Sequence, residues 1–134
     1  MKHYKVVAAV IEHHNEILCV QKGENPYAYL RYKFEFPGGK VEPGESEADA
    51  LLREIEEELQ LAISISHKIA VVNHQYPDFM ITLTAFYCHA ATRKLALTEH
   101  IDALWLPKNH LKTLNWVGAD QPIVQCILET PASH

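Results

Sequence analysis

Basic charge is in short supply. Lysine and arginine total 12 against 17 aspartates and glutamates, for a formal net charge of −5. Proteins that coat a nucleic-acid polymer or an acidic membrane present a basic face, so the balance argues against both partners. It leaves an anionic small molecule open, because a bound divalent metal inverts the local sign. Long apolar runs are missing too. The first, Val6 to Ile11, is broken by Glu12, too early for a secretory signal core or a membrane span. The expected compartment is therefore the cytoplasm. Cysteine is scarce: Cys19, Cys88 and Cys126 are far apart and odd in number. That spacing fits neither a disulfide framework nor a zinc site, and the first two lie in apolar runs as buried free thiols. The nine histidines are scattered. Repeats and low-complexity linkers are absent.

What is present is an ordinary globular composition, 48% hydrophobic and 22% charged over 134 residues. It predicts one domain over 1–130 and a frayed tail at 131–134. Lys5–Ile11 and Ile17–Val20 read as a hairpin about His13-His14-Asn15. Tyr32–Phe36 reads as a short strand that ends at Pro37-Gly38-Gly39. Ile63–Gln75 and Phe79–Ala90 are strand-like runs joined at Tyr76-Pro77-Asp78, and Ala103–Leu106 is a further short strand. Lys108–Leu114 reads as a small helix. Gln121–Glu129 is a clearer one, with Asp120 as its N-cap and Pro122 in its first turn. The pattern is an α/β fold, one mixed sheet with helices on both faces.

The unusual segment is Gly38 to Leu61. Ser46 is placed to cap a helix, with Asp49 three residues on. At about 100° per residue, Ala48, Leu52, Ile55 and Leu59 form one apolar stripe. Glu54, Glu57 and Glu58 are spaced i, i+3 and i+4, on a face directed away from that stripe. Three like charges on one turn repel by roughly 0.2–0.5 kcal/mol per pair. Two readings answer this. One is a solvated acidic face bridged by Arg53. The other is a hard divalent cation bound by the carboxylates, with Gly38-Gly39 letting backbone pass close by.

The spacing Gly39–Glu45–Arg53-Glu54-Ile55-x-Glu57-Glu58 ties loop and helix together. It resembles the Nudix box, G-x5-E-x7-R-E-U-x-E-E-x-G-U, with U a bulky aliphatic. Leu61 matches as well. Gln60 departs, standing where the family has the glycine that ends the helix, and a different C-cap is expected there. The resemblance extends over nearly the whole chain to a MutT-like Nudix domain, an α/β/α sandwich.

That resemblance implies a nucleoside triphosphate pyrophosphohydrolase that yields a monophosphate and pyrophosphate with Mg2+ or Mn2+. Glu54, Glu57 and Glu58, with the Gly39 carbonyl, are the implied metal ligands, and Arg53 orients them. Glu99, six residues before Trp105, matches a late-loop glutamate that serves as further ligand or general base; Glu54 shares that candidacy. Lys22 and Lys40 are phosphate-side candidates, with Arg31 and Lys33 behind them. Phe36 matches a base-pocket aromatic, and Tyr76 and Phe79 lie within reach of the pocket rim. Asp120 stands where MutT-like enzymes that read oxidised guanine carry asparagine, and where members similar to CTP pyrophosphohydrolases carry aspartate. A carboxylate accepts from the cytosine amine, which favours CTP or methylated dCTP. Oxidised dGTP, a dinucleoside polyphosphate or ADP-ribose are the alternative substrates. A non-catalytic nucleotide sensor and an interaction domain with an acidic helix are the rival classes. Monomer and dimer are both compatible with the sequence.

Overall fold

The computed structural model describes residues 1–130; the expected frayed tail, 131–134, lies outside the described residues. Strands β1 (Lys2–His13) and β2 (Glu16–Gln21) form the expected hairpin. His14 and Asn15 turn it with φ of 49° and 65°, the double left-handed geometry that matches strand twist. The other strands are β3 (Phe34–Glu35), β4 (Gly38–Lys40), β5 (Ile63–Gln75), β6 (Phe79–Ala90) and β7 (Asp102–Pro107). The sheet runs β3-β2-β1-β6-β5, with β4 also paired to β1 and β7 to β2. β1 and β6 are parallel, from Lys2 opposite Phe79 onwards, and the remaining pairs are antiparallel. The sheet is therefore mixed, and it is covered on both faces.

The two faces follow from period-2 alternation in β1. Val7, Ala9 and Ile11 join Phe86 and Cys88 under helix α1 (Glu47–Leu59). Ala8 and Val10 join Ile81, Leu83 and Ala85 under helix α2 (Gln121–Glu129), whose Ile123, Val124 and Ile127 are buried. Cys19 and Cys88 are buried free thiols, as expected, and burial pushes both up to about 12.

Several local expectations change. The strand foreseen over Tyr32–Phe36 shrinks to Phe34–Glu35, because Tyr32 is left-handed at φ 61°. Gly38–Lys40, which begins inside the expected strand end Pro37-Gly38-Gly39, is itself a strand against β1. Lys108–Thr113 is a 3-10 helix, and a second 3-10 turn, Gly118–Asp120, leads into α2. Asp120 does not cap α2 with its side chain; it has helical backbone angles, and its carboxylate is engaged elsewhere.

The helix α1 starts as foreseen, with the Ser46 hydroxyl accepting from the Asp49 N–H at 3.1 Å. Its buried face is different. Ala50, Leu51, Ile55 and Leu59 are buried, whereas Ala48 is exposed and Leu52 is 41% exposed. Adjacent leucines at 51 and 52 allow two phases, and packing against β1 and β6 selects the first. Glu58, about 60° from Ile55 on the helical wheel, thus borders the buried face instead of pointing away from it.

Gln60 adopts the cap that glycine makes in the family. Its φ is 52°, and its N–H donates to the Glu56 carbonyl at 2.9 Å. The expectation of a different cap fails: the left-handed geometry is kept without the glycine. A left-handed non-glycine residue costs roughly 1–2 kcal/mol, offset in part by glycine's greater chain entropy. Replacement Gln60→Gly should therefore stabilise the fold by ~1 kcal/mol and raise Tm by about 2–5 °C in thermal unfolding. An unchanged or lower Tm would show that the cap carries no strain.

Candidate active site

The cradle begins with two glycines. A Cβ on Gly38 would lie 1.9 Å from the Val7 carbonyl oxygen, so β4 reaches β1 only without a side chain. A Cβ on Gly39 would lie 2.4 Å from the Glu54 carboxylate. The bare backbone at Gly39 thus leaves the space that the Glu54 carboxylate occupies, and a side chain at residue 39 would displace that carboxylate.

Arg53 locks this loop to the helix. Its Nε and Nη2 donate to the two Glu45 oxygens at 2.7 and 2.9 Å, a bidentate fork. Nη1 donates to Glu54 at 2.9 Å and Glu57 at 3.3 Å, and Nη2 also reaches the Lys40 carbonyl at 3.1 Å. The guanidinium, together with the Glu42 N–H, holds the Glu45 carboxyl down to about 2. Glu56 and Asp49 are exposed, as their phase requires.

A second loop brings Glu99. Thr98 donates from Oγ1 to the Glu58 carbonyl at 3.0 Å, and the Ala96 N–H donates to the Leu59 carbonyl at 2.9 Å. The free carbonyls at the end of α1 are thus satisfied by this loop. Glu99 and Glu58 both line a cleft of about 440 Å³. Burial, then the Glu35, Glu54 and Glu99 charges, push Glu58 up to about 8. Glu54 is raised too, by burial first and then by the Glu57 and Glu99 charges, against the opposing pull of Arg53. The Glu58 Oε2 is buried with no hydrogen-bond partner among the described residues.

Of the expected metal ligands, Gly39, Glu58 and Glu99 line the cleft, and Glu54 stands over Gly39. Glu57 is exposed and turned onto Arg53. Among the described residues, no three acidic, histidine or cysteine side chains close into a metal cluster. The acids repel one another, and Arg53 holds two of them. Their chemistry nonetheless fits Mg2+ or Mn2+: hard carboxylate oxygens, an orphaned buried oxygen, and a backbone bared of side chain beside them.

The opposite wall is built by β3 and the segment before α2. Phe34 bridges Trp116 in parallel, its N–H donating to Asn115 O at 2.8 Å and its carbonyl accepting from the Val117 N–H at 2.9 Å. This brings Asp120 against the Phe36 N–H, which donates to its Oδ2 at 2.7 Å. Phe36 packs on Trp116 at 4.5 Å and also lines the cleft, so it is both core and pocket wall. Tyr76 is buried there, its hydroxyl accepting the Ala119 N–H at 3.0 Å, and Phe79 stands 5.2 Å from its ring. Lys22 and Lys40 also line the cleft; Lys22 lies 3.3 Å from Glu35, and Lys40 sits over the Tyr4 ring at 4.0 Å. Arg31 does not line the cleft itself, but it pairs with Glu24, which does.

Glu35 and His100 join the cleft without belonging to any motif in the chain. His100 Nε2 lies 2.9 Å from Glu35 Oε2, and both line the cleft. The available signal was an acid between two aromatics, Phe34 and Phe36, in a strand that faces the core.

The chain matches the NUDIX domain over residues 1–126. It belongs to the Nudix hydrolase family. It is 31% identical over 135 residues to CTP pyrophosphohydrolase of Escherichia coli, covering 100% of this chain and 98% of that protein. It is 32% identical over 120 residues to putative 8-oxo-dGTP diphosphatase 2 of Mycobacterium tuberculosis, covering 87% and 82%. Among solved structures, MutT of methicillin-resistant Staphylococcus aureus, a Nudix family hydrolase, superposes with a TM-score of 0.74 at 40% identity, over 96% of this chain and 98% of that one. The Nudix fold, the mixed sheet between helices and a hydrolase acting on nucleotides are thereby established. Nudix enzymes work with a divalent cation. No helix among the described residues is long and apolar enough to cross a membrane.

Burial, then the Glu35 charge, push Asp120 up to about 8 despite the Phe36 N–H. A carboxyl raised on folding contributes its stability fully below its unfolded value, about 3.9, and loses it as pH rises toward the folded value. Asp120→Asn keeps an acceptor for Phe36 and removes the charge. It should melt above the parent protein at pH 8, with the gap closing by pH 4. A constant gap across that range would contradict the burial assigned to Asp120.

Proposed function

We propose that the protein hydrolyses a nucleoside triphosphate to the monophosphate and pyrophosphate. The observation that carries this reading is the arrangement of the cleft, with Glu58 and Glu99 on one wall and Phe36 and Asp120 on the other. Glu54, Glu57, Glu58, Glu99 and the Gly39 carbonyl would hold Mg2+ or Mn2+. When bound, the cation neutralises phosphate charge and lowers the pKa of water. Arg53 contacts one oxygen of Glu54 and one of Glu57, and the cation would draw on their other oxygens. Glu54 is already committed to Arg53, whereas Glu99 stands exposed at the mouth, so Glu99 is the better placed general base. Lys22 and Lys40 serve the phosphates. The partner is a small nucleotide in the cytoplasm, not a polymer or a membrane, and residues 1–130 act as one domain.

For the base, Asp120 offers the oxygen that Phe36 leaves free. Held near 8, it is largely protonated at neutral pH, so this oxygen both donates and accepts. The N7–H and O6 edge of an oxidised guanine and the N4–H and N3 edge of cytosine both suit that pair. The carboxylate argument for cytosine alone therefore weakens. Several relatives are named 8-oxo-dGTP diphosphatases, in Proteus vulgaris and Mycobacterium tuberculosis among others. We rank an oxidised guanine triphosphate first. CTP or methylated dCTP comes second, supported by the full-length likeness to a CTP pyrophosphohydrolase.

The test is a Mg2+-supplemented panel of 8-oxo-dGTP, CTP, 5-methyl-dCTP, dinucleoside polyphosphates and ADP-ribose, read as released pyrophosphate and monophosphate. Cleavage of 8-oxo-dGTP above the cytosine nucleotides is expected. The reverse order would favour the second reading, and thermal stabilisation without any hydrolysis would favour a sensor. Each of Glu57→Gln and Glu58→Gln should lose several kcal/mol of transition-state stabilisation, about 100-fold or more in kcat. Near-parent turnover in both would remove the metal assignment.

A further inference from the structure

Glu35, His100 and the bonds that join them to Lys22 have no part in the scheme above. Glu35 lies in β3 next to Phe36, whose N–H Asp120 accepts. Its Oε2 takes two donors, His100 Nε2 at 2.9 Å and Lys22 Nζ at 3.3 Å. The His100 side chain is 4% exposed, and its Nδ1 is buried without a partner among the described residues. A buried N–H without an acceptor is costlier than a bare lone pair, so the ring proton belongs on Nε2, where Glu35 accepts it. The backbone fixes the ring's position. The Ile101 N–H donates to the Gln21 carbonyl at 3.0 Å, which pins residue 100 beside the end of β2, next to Lys22.

A carboxylate in a half-buried cleft draws a neighbouring ammonium onto itself. A second donor on the same oxygen divides that demand. The 3.3 Å separation of Lys22 is long for a charge-assisted bond, which runs about 2.7–2.9 Å. The imidazole holds that oxygen more closely than the lysine does. Lys22 is tethered at the edge of the cleft and not captured.

We propose that His100 is a positioning residue: by donating to Glu35 Oε2 it leaves the Lys22 ammonium available to the phosphate chain of the substrate. The inference rests on the phosphate role assigned to Lys22 above. It predicts a specific dependence, in which His100 matters only while residue 35 carries a charge.

The experiment is calorimetric titration of the full chain with pyrophosphate in Mg2+, together with kcat and KM on the best nucleotide. His100→Phe keeps the ring shape and removes the donor. It should weaken pyrophosphate binding by about tenfold and raise KM, with kcat within about threefold. His100→Gln, which retains a donor, should recover most of the affinity. In a Glu35→Gln background, His100→Phe should have no further effect, because the amide does not compete for Lys22. Parent-like affinity in His100→Phe, or the same tenfold loss in both backgrounds, would overturn the proposal. Should His100→Phe fail to fold, Glu35→Gln alone decides: affinity equal to or tighter than the parent supports it, and a tenfold loss overturns it. Pyrophosphate binding needs no turnover. A parent that binds pyrophosphate but cleaves no nucleotide would remove the proposed reaction and leave this readout intact. A parent that binds no pyrophosphate overturns the inference.

Discussion

The fork between Arg53 and Glu45 is the constraint on which the site depends. Glu45 belongs to the loop and Arg53 to the helix, and two bonds of 2.7 and 2.9 Å fix one to the other. The remaining donors of the same guanidinium then reach Glu54, Glu57 and the Lys40 carbonyl. One planar cation thus sets the height of the glycine backbone above α1 and the directions of two acids. A lysine could not do this, because it presents a point charge and not a fork. The glycines complete the constraint from the other side, since Glu54 occupies the space of a Gly39 side chain.

Around that clamp the cleft collects negative charge faster than it neutralises it. Glu58 and Asp120, on opposite walls, are both pushed up to about 8, burial first and the Glu35 charge second. Glu35 behaves differently. Burial would raise it, yet His100 and Lys22 hold it below its ordinary value. The acids of the helix therefore carry an electrostatic cost that a bound divalent cation would remove, while Glu35 has its compensation built into the protein. On the proposed reading, this division separates the helix side of the cleft, which would take the cation, from the Glu35 side, where protein donors supply the compensation.

Much of this was legible in the chain. The box could be read because its spacing couples a loop to a helix, and the fixed periods of strand and helix then gave the elements. The failures have separate physical causes. Leu51 and Leu52 are adjacent, so periodicity alone could not choose which faced the sheet, and the wrong choice turned Glu58 away from the core. Gln60 was expected to change the helix end, but the tertiary path to Leu61 imposes the left-handed turn on whatever residue stands there. Asp120 was read as a local cap, whereas its partner is Phe36, 84 residues away. Glu35 and His100 were missed because they meet only through the sheet, across 65 residues of sequence. Long-range pairing of single polar residues leaves no period and no spacing to read.

The measurement that bears most directly on the clamp is the Mg2+ affinity of Arg53→Lys, by calorimetric titration with the fold checked by thermal unfolding. Lysine keeps the charge and loses the fork. The account predicts a folded protein that binds Mg2+ about 10–100-fold more weakly than the parent. A folded Arg53→Lys protein with parent-like Mg2+ affinity would contradict it.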